Sequence, residues 1–220
     1  MSDGSGRTGW GRWRWRVRPL DVFAVPNLLL LAITTVAVSW PRFVRFRGAA
    51  NVREFAVYMA LTMAVIAVAW VRLRHLRPPP VLLVAFELAF VLAVVGAIVP
   101  VAGGRLYDVV ALGVRFDKLV HAAWAFAGAL AIAAVIDHSA SVPWWMRATL
   151  SVLAVLGLGA AWEMVEYAVV RSVAGAGVGG YDNNMQDLIG NLVGGLLSLA
   201  APASWRTTRD LRADAGSPGQ

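Results

Sequence analysis

Long apolar runs recur along this chain, bounded by arginines, prolines or acidic residues, at about 22–40, 55–73, 80–99, 118–136, 146–170 and 187–204. Each is near the ~20 residues that carry an α-helix across a hydrocarbon core. Lipid offers a backbone amide no water to bond, so segments this long and apolar must close their hydrogen bonds internally, as helices. The alternating pattern of a membrane barrel is absent. The pattern predicts an all-α polytopic integral membrane bundle of about six transmembrane helices. Residues 21–205 are expected to form this single domain. A basic, Trp-rich segment at 1–20 precedes it, and a polar tail at 206–220, expected to be disordered, follows.

Composition sharpens the picture. The chain is 59% hydrophobic and 15% charged, with a mean hydropathy of +0.64, and a soluble fold has no interior large enough for that balance. The first run is too long for the core of a signal peptide and lacks a small-residue cleavage site after it, so it is expected to remain as a span. The absence of cysteine excludes disulfides, iron–sulfur clusters and thiolate zinc sites.

Basic residues set the expected orientation. With six spans, the N-terminal arginines, Arg72, Arg74, Arg77, Arg147 and the C-terminal arginines share one side, twelve cations in all, against eight on the other. The positive-inside rule then puts both termini in the cytoplasm. The net charge of +7 does not point to nucleic acid, because the arginines flank spans and form no single stripe. The run from Trp10 to Arg16 alternates indoles with cations, as suits a segment at an anionic lipid surface. Membrane lipids are thus the first expected partners. The Ala/Gly/Arg/Val-rich composition fits the plasma membrane of a high-GC bacterium.

Against this oily background nine residues stand out: Asp117, His121, Glu163, Glu166, Asp182, Asn184, Gln186, Asp187 and Asn191. They lie at the ends of three successive spans that the topology brings to the outer face. Asp117 and His121 are spaced i, i+4, Glu163 and Glu166 i, i+3, and Asn184, Asp187 and Asn191 i, i+3, i+7, so each helix offers one polar face. At about 1.5 Å per residue such a site is shallow, near the headgroup boundary. That depth suits a lipid headgroup, a lipid-linked sugar or phosphate, or another amphiphile from the outer leaflet.

One imidazole among carboxylates and amides could hold a divalent cation such as zinc, manganese or magnesium, with Asp117, His121, Glu163 and Asp187 as candidate ligands. Without metal, His121, Glu163 and Glu166 are the candidates for general acid–base chemistry, and Asp117, Asp182, Asn184, Gln186, Asp187 and Asn191 for ligand binding. Singly, most have a structural explanation: Asp117 as a helix cap, Asp187 as a first-turn acid, Glu166 as the partner of Arg171. Nine polar groups on facing helix ends outweigh that, because intramembrane polar groups are costly and serve a site or a helix contact.

Small residues would let these helices approach closely: Gly190 and Gly194 on the sixth span, Gly157 and Gly159 on the fifth, and many alanines on the fourth. The segment 174–180, mostly glycine and alanine, reads equally as a lid hinge or a plain linker. Glu87, inside the third span without a basic partner on its helix, reads equally as part of an ion path or as a group hydrogen-bonded within the bundle.

Asp117-Lys118-x-x-His121, Glu163-x-x-Glu166 and Asp187-x-x-x-Asn191-x-x-Gly194 together resemble the VanZ-like membrane proteins. The stretch Tyr181 to Asp187 is closer to the related YjdF-like inner-membrane proteins. The likeness spans roughly residues 106–197. It implies a cell-envelope protein, and the VanZ-like group is associated with resistance to the glycopeptide teicoplanin. Glu166 stands where the VanZ pattern carries glutamine, which favours the YjdF-like relative. Three functions fit: an envelope protein with an outer site for a lipid-linked or amphiphilic ligand, metal-assisted or not; a small ion-coupled transporter, for which no inverted repeat is visible; or a noncatalytic scaffold.

Overall fold

A computed structural model describes residues 17–34, 49–74, 78–172 and 180–202. The N-terminal Trp/Arg run, the 174–179 part of the glycine-rich segment and the C-terminal tail lie outside these residues. The described residues hold six helices: α1 (Pro19–Ile33), α2 (Ala49–Leu73), α3 (Pro80–Ile98), α4 (Phe116–Ser139), α5 (Trp144–Ser172) and α6 (Tyr181–Ser198). By length and apolarity α2, α3, α4 and α5 are each able to cross a membrane. Large apolar side chains such as Val65, Val68, Leu158 and Met164 point outward, an apolar surface far beyond what a water-soluble monomer exposes. The protein is an integral membrane protein built as an all-α bundle.

Helix starts follow local chemistry. α1 opens with Pro19 at its first turn, where a missing N–H costs nothing, and Asp21 accepts the Arg18 backbone N–H at 3.0 Å. α3 opens likewise on Pro80. α6 begins at Tyr181, six residues before the apolar run, because its first two turns are polar but still helical.

α4 is the hub and packs on α3, α5 and α6, while α1 lies against α2 and α3. Aromatic rings bridge the layers: Phe86 of α3 meets Phe23 of α1 at 6.3 Å and Trp124 of α4 at 5.9 Å, and Tyr58 of α2 meets Trp162 of α5 at 5.9 Å. Leu31, Phe90 and Val94 form one buried cluster and Ala125, Ala129 and Val155 another. Lipid removes most of the hydrophobic drive between helices, so van der Waals fit decides the packing. A side chain at Gly194 would collide with the backbone carbonyl of Ala122, so α6 reaches α4 only because that position is bare.

One end of the bundle is locked by two ion pairs. Asp21 accepts from the Arg74 guanidinium at 3.0 Å and from the Trp70 indole at 2.7 Å, tying α1 to the end of α2. The Arg74 guanidinium, with the Trp70 indole beside it, holds the Asp21 carboxyl well below the usual carboxylate range. Asp137 and Arg147 pair at 2.7 Å across the α4–α5 turn. At the other end, residues 100–115 fold as two small hairpins, β1 (Pro100–Val101) with β2 (Gly104–Arg105) and β3 (Val110–Ala111) with β4 (Val114–Arg115). They turn through Ala102-Gly103 and Leu112-Gly113 with positive φ at both residues of each pair, the geometry of tight two-residue hairpins.

Candidate functional site

At the hairpin end, the first turns of α4 and α6 bring charged side chains against α5. Lys118 is central and only 6% exposed. Its ammonium donates to Asp187 Oδ1 at 2.6 Å, to Asn183 Oδ1 at 2.9 Å and to the Asn183 carbonyl at 3.3 Å, and it lies 3.1 Å from Asp117 Oδ2. Asn183 returns its amide to Asp187 Oδ2 at 2.7 Å. The i, i+4 spacing on α6 that puts Asn183 beside Asp187 also holds that carboxylate fixed.

His121 Nε2 stands 3.2 Å from Asp187 Oδ1, and Asn191 lies beside the imidazole. Asn191 reaches α5 through a gap: a side chain at Gly159 would occupy the space of its amide. Gly190, one residue earlier, faces the Lys118 carbonyl and His121 Cβ. The bare positions on α5 and α6 thus set how closely the polar faces meet.

Glu163 completes the group. It is 6% exposed, and neither carboxylate oxygen has a hydrogen-bond partner. One ligand-capable atom from each of His121, Glu163 and Asp187 lies within 4.8 Å of the other two. Asp117 Oδ1, Asn184 Oδ1 and Asn191 Nδ2 are also buried without partners. Among the described residues at this end, the unpartnered atoms are therefore four acceptors and one donor. Burying a polar atom without a partner costs about 1–3 kcal/mol, and these five atoms carry that cost side by side.

The remaining candidates lie further out. Glu166 is half-buried and accepts the Trp162 indole N–H at 3.0 Å, one turn beyond Glu163. Asp182 and Gln186 are exposed and stay outside the cluster. Glu87 lies towards the opposite end of its span, where Asn27 Nδ2 donates to its Oε2 at 2.7 Å. It is thus hydrogen-bonded across helices, from α1 to α3.

Four members were not among the sequence candidates as site residues. Lys118 counts in the sequence among the eight cations of its side, although its place as the first residue of an apolar run is a usable signal. Asn183 was signalled by its i+4 relation to Asp187. Arg115 and Asp108 come from the hairpins: Arg115 reaches Asn183 Oδ1 at 3.0 Å and Asp108 at 3.2 Å, and Arg105 also pairs with Asp108 at 3.3 Å. Tyr107 seals this edge, its ring against Gly96 and 5.8 Å from the Arg105 guanidinium, and burial pushes its phenol upward.

An apolar helical bundle with a buried charged cluster at one end is the mark of a polytopic membrane protein with an internal polar site. Residues 26–208 match the family of predicted membrane proteins DUF2238, and the chain belongs to that family. No curated protein and no solved structure matches it.

Proposed function

We propose that the cluster at the hairpin end binds the polar head of a lipid-linked or amphiphilic ligand from the outer leaflet of a bacterial plasma membrane. Glu163 carries this reading. Its two buried oxygens without partners, beside His121 and Asp187, would be a standing cost in a purely structural cluster. The excess of acceptors favours a head rich in hydroxyls or amines over a bare phosphate. Asp117, Asn184 and Asn191 would take further contacts, and His121 with Glu163 would supply acid–base chemistry if the bound head is turned over.

The motif likeness to VanZ-like and YjdF-like proteins is in keeping with an envelope role, and the excess of basic residues at the other end with cytoplasmic termini. An ion-coupled carrier would instead work through the Asn27–Glu87 pair, and a scaffold would need neither group. The experiment is native mass spectrometry of the detergent-purified protein with phosphatidylethanolamine, phosphatidylglycerol and a glucosyl diacylglycerol. A hydroxyl- or amine-bearing lipid should stay bound to the wild type and to Glu87→Gln but be lost from Glu163→Gln. Equal retention by wild type and Glu163→Gln would sink the proposal.

A further inference from the structure

We infer that His121, Glu163 and Asp187 are the three protein ligands of a first-row divalent cation, zinc or manganese. This rests on the polar site proposed above and names what its innermost part holds. The donor set is one imidazole and two carboxylates, a mixture suited to borderline metals more than to calcium or magnesium.

The geometry is close to what an ion requires. Ligand atoms ~2.1 Å from a tetrahedral centre lie ~3.4 Å apart, and His121 Nε2 already sits 3.2 Å from Asp187 Oδ1. The widest separation in the triangle is within 4.8 Å. A movement of the Glu163 side chain towards the other two would break no hydrogen bond, since its oxygens have no partners. Three helices supply one ligand each, so the ion would clamp α4, α5 and α6 together and leave a coordination position for water or for the ligand head.

Charge and outer contacts agree with this. Asp108, Asp117, Glu163, Glu166 and Asp187 bring five formal negative charges and Arg105, Arg115 and Lys118 three positive, and a dication makes the group neutral. A carboxylate oxygen has two lone pairs, so Asp187 Oδ1 can keep the Lys118 ammonium at 2.6 Å while it binds metal. Asn183 holds Oδ2 at 2.7 Å. Lys118 and Asn183 would orient the ligating carboxylate, as outer groups do in metal sites.

The test uses the full chain in detergent, stripped with EDTA and titrated with zinc against a chromophoric chelator. Manganese is followed in parallel by loss of the free-ion electron paramagnetic resonance signal. One equivalent should bind per chain and raise the melting temperature. His121→Ala and Glu163→Gln should each weaken binding at least ~10-fold, and Glu87→Gln should leave it unchanged. Melting of metal-free Glu163→Gln at or above the wild-type temperature shows that the variant is folded, so a loss of metal is local. Absence of binding to folded wild type, or equal binding by wild type and the two cluster variants, overturns the inference. Loss of lipid by Glu163→Gln in a protein that takes no metal would discard the ion and keep the headgroup site, and metal binding without lipid retention would do the reverse.

Discussion

At the residue scale, the cluster is organised by Lys118. Its ammonium is shared by two carboxylates and an amide and is almost wholly removed from solvent. Removing one member of a buried pair leaves an uncompensated charge, at a cost of about 3–5 kcal/mol. Lys118→Met should therefore lower the melting temperature strongly, and Asp187→Asn should do so too. The double variant should be less damaged than the sum of the two, and additive effects would show that the ammonium and carboxylate are not coupled. Much of this was readable beforehand, since the periodic spacing of Asp117, His121, Glu163, Asp187 and Asn191 put them on facing helix sides. Asp182 and Gln186 lie outside the cluster because helix α6 turns them outward, and a run of polar residues does not reveal which of its members face inward. Lys118 stands in the first motif but carries no site role in the sequence reading, because a cation near a span end is ordinarily a topological marker.

At the scale of elements, two kinds of joint hold the bundle. Close approach joins α6 to α4: Gly194→Leu would drive a side chain into the Ala122 carbonyl, at a cost of at least about 1–3 kcal/mol for overpacking. Gly194→Leu should melt well below wild type, whereas Gly157→Leu, with open space around its position, should melt close to it. An ion pair joins α1 to α2. Asp21 has a folded pKa below its ordinary value of 3.8, so its contribution is fully present above that value and fades as pH falls through the depressed one. The melting difference between wild type and Asp21→Asn should accordingly be constant near neutrality and shrink below about pH 4. A difference that grows on acidification would contradict the clamp. Hydropathy found all six helices because each carries a long apolar run. It placed the start of α6 six residues late, since polar helical turns carry no apolar signal. The two hairpins went unread for another reason: strands of two residues are too short to show alternation.

At the scale of the molecule, the two ends differ in kind. The hairpin end carries a buried charged cluster, and the other carries two ion pairs, Asp21 with Arg74 and Asp137 with Arg147. Which end faces outward decides which leaflet would supply the proposed ligand. The proposed orientation has the hairpins outside, and the cysteine-free chain allows this to be tested with single introduced cysteines. Leu112 at a hairpin tip is fully exposed, and Ala140 in the α4–α5 turn is exposed at the opposite end. In intact cells a membrane-impermeant maleimide should label Leu112→Cys, while Ala140→Cys should react only after lysis. The reverse pattern would put the cluster at the cytoplasmic leaflet. The proposed ligand would then have to be an amphiphile of the inner membrane face, with the same hydroxyl- or amine-rich head, because the unpartnered acceptors Asp117 Oδ1 and Asn184 Oδ1, which the ion leaves free, do not depend on orientation.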